Sequence, residues 1–237
     1  MAAETTAITL LWGHRPAPKR GPKPTLTLDT IAAAGIELAD ADGLAAVTMQ
    51  RVAERLGVTK MALYRYVPGK VELVALMTDL AMGEPPPPAE ATGWRPRLDT
   101  WARRLLDRFR AHPWALEATV GPRAIGPNEF GWMEQATAAL TGTGLTGSQI
   151  LDVAATLTGH VRMIAQQTAA TPTGAPEQAM SEAIGALLFS HQARFPTLSA
   201  AMSDPSGRDQ ALDFGLRCIL DGVEPLLAPT PALTEGI

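Results

Sequence analysis

The chain has 237 residues, 46% of them hydrophobic and 5% aromatic, and a formal net charge of -4, which excludes a disordered or fibrous protein and suits a small domain joined to a larger one. No apolar stretch approaches a bilayer span, and the first residues lack the basic-then-apolar layout of a secretory leader, so a cytoplasmic protein with no membrane partner is expected. The single cysteine, Cys218, excludes an internal disulfide framework or a multi-cysteine zinc site and reads as a small buried hydrophobe.

The basic surplus comes first in the chain. Residues 1–70 hold nine Lys/Arg against six Asp/Glu, whereas residues 71–237 hold eleven against eighteen. Gly13 to Leu28 carries no acid and places Arg15, Lys19, Arg20 and Lys23 among prolines. Residues 1–26 are therefore expected to form a flexible basic arm drawn to a polyanion, a solvated tail being the plainer alternative.

A helix is predicted over Asp29 to Ala39, where Ile31, Ala34, Gly35 and Leu38 recur at helical spacing, with Asp42 and Gly43 ending it. Thr48 is an N-cap for a second, short helix with Met49, Val52, Ala53 and Leu56 on one face, broken at Gly57 and Val58. Thr59 caps a third over Lys60 to Tyr66, closed by Pro68 and Gly69, and a fourth runs from near Lys70 to about Met82. Pro85 to Pro88 then reads as an extended spacer at a change of domain. Beyond Trp94 helical patterns fall near 95–111, 113–120, 127–142, 147–170, 177–193 and 207–227, without strand alternation. The expected fold is all-α: an arm over 1–26, a helix-turn-helix three-helix domain over 27–71, and over 72–237 a connecting helix with a ligand-binding and dimerisation bundle.

Ala53, Gly57 and Leu63, four and six residues apart across two short helices, describe a helix-turn-helix: a small residue for close crossing, a glycine for the turn's positive φ, an apolar residue under the second helix. The third helix would expose Lys60, Met61, Ala62, Tyr64, Arg65 and Tyr66, types that read base edges and thymine methyls in a major groove. Thr48, Gln50, Thr59 and Lys70 would hold phosphates. Packing between helices accounts for either tyrosine as an alternative.

The stretch "LTLDTIAAAGIELADADGLAAVTMQRVAERLGVTKMALYRYVPGKVELV" closely resembles the DNA-binding domain of TetR-type repressors, through Gly43, Leu44, Thr48, Val52, Ala53, Leu56, Gly57, Val58, Leu63, Tyr64, Val67 and Lys70. The resemblance implies that Thr48, Gln50, Lys60, Met61, Ala62, Tyr64, Tyr66 and Lys70 lie at or near DNA. The later chain resembles the tetracycline-repressor C-terminal domain through Trp94, "LLDRFRAHPW", "TGHVR" and "FGLRCILDGVEPLL". That implies a twofold homodimer in which helices near 147–170 and 207–227 pair with their mates.

Double-stranded operator DNA and a small-molecule inducer are the partners implied. Trp101, Leu105, Trp114, Arg123, Phe130, Met133, His160, Met163 and Gln167 are candidates for the inducer pocket. Core packing accounts equally for Trp101, Trp114, Phe130 and Met133, a packed histidine for His160, and solvent exposure for Arg123. One histidine that tetracycline repressors use for the drug–magnesium chelate aligns near Thr119, a departure favouring a different, bulky and partly apolar effector. No cofactor is expected. The four dispersed histidines show no metal spacing, and there is neither a phosphate loop nor a nucleophile elbow, so an enzyme is not expected. A regulator controlled by a partner protein, or an activator, remains the alternative.

Overall fold

The computed structural model describes residues 2–13, 26–88, 90, 92–171, 184, 185, 187, 188, 190–203 and 210–227. Among them no β-strand is present, and no helix is long and apolar enough to cross a membrane. The chain forms two compact units, Met1–Ala91 with Asp107–Ala138, and Thr92–Leu106 with Ala139–Ile237.

In the first unit α1 (Ala2–Trp12) packs on α5 (Lys70–Met82). The expected flexible arm over 1–26 is thus helical in its first part. Ala7 and Leu11, one turn apart, are buried, so removal of apolar area from water outweighs the preference of a chain end for disorder. Trp12 Nε1 donates to the Ile125 carbonyl at 2.9 Å and the indole meets Phe130 edge-on, with centroids 5.5 Å apart. Arg15, Lys19, Arg20 and Lys23 lie outside the described residues.

The next helices start where side-chain oxygens take up orphan N–H groups. Thr27 and Thr30 form a reciprocal capping box at α2 (Leu28–Asp42), Thr48 accepts from Arg51 N at α3 (Met49–Arg55), and Thr59 accepts from Ala62 N at α4 (Lys60–Tyr64). Ile31, Val47, Val52, Leu63, Val67, Leu73 and Met77 are fully buried beneath them. A Cβ on Gly35 of α2 would stand 2.6 Å from Met77 Sδ, so any larger residue must displace the thioether where α2 seats on α5.

Pro85 to Pro88 does not act as a spacer between domains. It lies against α8 (Pro127–Leu140) within the first unit: Gln135 Nε2 donates to Pro86 O at 2.7 Å, and a Cβ on Gly131 would approach Pro85 Cδ to 3.0 Å. A stiff proline run loses little entropy when laid on a helix, which makes it a strap as readily as a linker. α6 (Trp94–Ala111) contributes residues to both units, and the short α7 (Ala115–Ala118) belongs to the first.

The second unit is built around α9 (Gly147–Ala169) and α11 (Ala211–Val223), which pack together; α10 (Pro196–Ser203) starts on a proline and was not foreshadowed in the sequence pattern. The predicted helix over 177–193 falls mostly outside the described residues. Gly215 permits the α9–α11 approach, since a Cβ there would lie 2.2 Å from the His160 ring. Arg95 of α6 pairs with Asp221 and Glu224, and Arg103 joins Asp99 at 2.8 Å to Asp213 at 2.6 Å. Hydrogen bonding to Asp99, then to Asp213, pushes the Arg103 guanidinium above its ordinary range. Cys218 is exposed rather than buried, because Leu216, Leu220 and Val223 take the inward face of α11.

Candidate nucleic-acid interface and effector residues

The α3–turn–α4 geometry follows from three side chains. Ala53 and Leu63 are buried, and between them Gly57 takes φ +66°, the left-handed conformation that glycine adopts without cost. Gly57 N donates to Glu54 O at 3.1 Å and Val58 N to Ala53 O at 3.0 Å, which satisfies the last carbonyls of α3 within the turn.

This packing leaves one side of α4 in solvent. Lys60, Met61, Tyr64 and Arg65 are exposed, Tyr66 follows them just past the helix, and Ala62 is half-buried. Both tyrosines are more than a third exposed, so neither is consumed as packing between helices. Lys60 Nζ stands 5.7 Å from the Tyr64 ring centroid, a cation–π contact that limits the wandering of a long side chain. Met61, at 74%, is the most exposed large apolar residue among the described residues.

The phosphate candidates surround this face. Thr48 and Thr59 use an oxygen lone pair on the cap and keep a hydroxyl hydrogen to donate. Gln50 Nε2 donates to Glu54 Oε1 at 2.7 Å, and Lys70 Nζ reaches the Leu44 carbonyl at 3.4 Å. Arg51 and Arg55 turn the other way. Arg51 pairs with Asp42 at 2.6 Å and donates to Ala46 O, while Arg55 pairs with Glu37, which staples α3 to the end of α2 and keeps both guanidinium groups engaged.

The nine effector candidates are divided between the units. In the first, Trp114 is buried and its Nε1 donates to Asp40 Oδ1 at 2.6 Å. Arg123 is not a solvent-facing cation: its guanidinium meets the buried Glu129 carboxylate at 2.8 and 2.5 Å. Phe130 is half-exposed beside Trp12, and Met133 lies one turn further along α8 with similar exposure. In the second unit Trp101 and Leu105 are buried, His160 Nε2 stands 3.2 Å from the Leu212 carbonyl, and Met163 and Gln167 are exposed on α9. Trp114, Arg123 and His160 thus each have a polar partner of their own.

Sequence reasoning missed Asp40 and Asp79. Asp40 also receives His112 Nδ1 at 2.9 Å, and the buried Asp79 accepts from the backbone of Asn128 and Glu129 at 2.9 and 3.1 Å. A lone acid in the apolar run of α5 was the available signal for Asp79.

Residues 31–77 match the family described as "Bacterial regulatory proteins, tetR family", and residues 86–227 match "Tetracyclin repressor-like, C-terminal domain". The chain belongs to the tetR family of bacterial regulatory proteins, whose mark is this DNA-binding helix-turn-helix. It is 37% identical over 231 residues to the "HTH-type transcriptional repressor DrrR1" of Streptomyces coeruleorubidus, covering 93% of this chain and 86% of that protein. Among solved structures it is similar to the Streptomyces coelicolor TetR family protein ActR in complex with actinorhodin, with a TM-score of 0.75 and 25% identity, over 88% of this chain and 100% of that one. The same protein in complex with (S)-DNPA gives a TM-score of 0.73 at 24% identity, over 88% and 100% of the two chains.

Proposed function

We propose that the protein is a homodimeric transcription repressor that holds a palindromic operator and is released from it by a bulky, partly apolar small molecule. The observation that carries the reading is the solvent-facing side of α4, where Lys60, Met61, Tyr64, Arg65 and Tyr66 stand together above buried Ala53 and Leu63, joined through the positive-φ turn at Gly57. Lys60, Met61, Ala62 and Tyr64 read bases, while Thr48, Gln50, Thr59, Arg65, Tyr66 and Lys70 position the helix on phosphates. Arg15, Lys19, Arg20 and Lys23 add phosphate neutralisation in this reading.

For the dimer, the support is apolar surface that α9 and α11 leave in solvent, with Leu151 and Met163 on the first and Phe214 on the second. Self-complementary contact through such a face gives the twofold symmetry that a palindromic site requires. For the effector, the support is that ActR is known with actinorhodin and with (S)-DNPA. Thr119, where a magnesium-chelate reader would need a ligand, instead donates its hydroxyl to Ala115 O at 2.6 Å. Phe130 and Met133, half-exposed one turn apart on α8 of the first unit, are the apolar contacts proposed.

The test is a titration against palindromic duplexes from the DNA flanking the protein's own gene, at two salt concentrations, with a Tyr64→Ala, Lys70→Ala double variant alongside. Specific, salt-sensitive binding that the variant loses is expected. Binding equally strong to every duplex, or unchanged in the variant, would remove the reading.

A further inference from the structure

We propose that two carboxylates, Asp40 at the end of α2 and Asp79 in α5, are the positioning residues that make the DNA-reading helices and α6–α8 answer to one another. All the groups involved belong to the first unit.

Asp79 is 5% exposed and caps a helix that is not its own: one carboxylate oxygen accepts from Asn128 N at 2.9 Å and from Glu129 N at 3.1 Å, at the start of α8. Asn128 returns the contact by donating Nδ2 to the Asp79 carbonyl at 3.0 Å. A Cβ on Gly126 would fall 2.2 Å from that carboxylate, so the loop before α8 admits no side chain there. Further along, Trp132 Nε1 donates to the carbonyls of Met82 and Gly83, the last of α5, at 3.2 and 3.0 Å. Two residues before Asp79, Met77 is pressed against Gly35 of α2.

α2 has a second fastening. Asp40 takes His112 Nδ1 at 2.9 Å from the end of α6 and Trp114 Nε1 at 2.6 Å from the N-cap of α7. The bonds from Asn128 N, Glu129 N and Trp114 Nε1 resist sliding, because a shift leaves buried or part-buried N–H groups without an acceptor, whereas the exposed His112 contact adds less. Movement at α7 or α8 therefore carries α2 and α5, and with them α4 and Lys70, as one body. Thermodynamic reciprocity requires that DNA held at α4 be felt at α7 and α8.

The inference rests on the DNA-binding half of the reading above, and its test needs no effector, so a failure of effector release bears on that reading alone. Backbone hydrogen exchange of the full chain is followed with and without a palindromic duplex enriched from a random library by the wild-type protein. DNA is expected to slow exchange at Ala115–Ala118 and at the first turn of α8, neither of which is proposed to touch it. Asp79→Ala should lose the slowing at α8 while DNA still slows exchange at α4, the helix proposed to touch it. Asp79→Asn, whose amide oxygen still accepts at the same reach, should restore it, and Trp114→Phe should lose the slowing at α7. If Asp79→Ala fails to give the wild-type circular dichroism, Trp114→Phe decides alone. Absence of slowing in the wild type, or its persistence in both variants, overturns the proposal; recovery of no duplex overturns it together with the DNA-binding reading.

Discussion

Gly57 takes φ +66° with no atom within 4 Å of where a Cβ would stand. Alanine there meets no clash and costs only the left-handed backbone, about 1–2 kcal/mol, which a shifted urea midpoint would register; asparagine should recover part of it. At Arg123 the partner matters more than the residue. Glu129 is buried, so Arg123→Met strands a carboxylate and should cost about 3 kcal/mol by chemical denaturation. Changing Glu129→Leu as well should return most of the loss. The Ala53–Gly57–Leu63 spacing was legible at this scale because each member acts on neighbours within ten residues. The Arg123–Glu129 pair was not read, since an arginine six residues before a glutamate looks the same whether it faces water or a buried acid.

α4 spans only five residues, too few to be stable alone, so its geometry depends on its ends and on what lies beneath it. Thr59→Ala removes the acceptor for Ala62 N and should lower stability by about 1 kcal/mol in urea unfolding. DNA affinity should fall with it, and serine should retain both. Helices α2 to α5 were legible because caps, periodic apolar residues and a terminal glycine all act locally. The observed α4 ends at Tyr64, two residues before the predicted end, and Tyr66 N instead donates to Leu63 O in the tightening turn. The proline strap and α1 were not legible in the same way. Whether Pro85 to Pro88 spans solvent or lies on a helix depends on Gly131 and Gln135, some fifty residues away.

For the whole molecule, operator binding should weaken steeply with salt, because cations clustered near α4 displace condensed counterions from DNA. Lys70→Ala should flatten the slope of log affinity against log salt by about one per subunit, as measured by titration over a salt series, with base preference unchanged. Phe214, 60% exposed on α11, should become a breaking point of the dimer: Phe214→Glu is expected to give monomers by light scattering and to lose tight operator binding, since two reading helices must dock together.

The residues alone determined the all-α class, the four helices from Leu28 to Met82 and the face of α4 that stands in solvent, since periodicity, capping and glycine conformation are properties of a few adjacent residues. Tertiary structure decided the rest. It seats α1 on α5, directs Asp79 to the N–H groups of a helix fifty residues onward, pairs Asp40 with His112 and Trp114, and turns Cys218 outward. A carboxylate carries no mark of which distant donor it will meet. That choice is made when apolar faces pack, and only then does a buried acid find, or fail to find, the hydrogen bonds that make its burial tolerable.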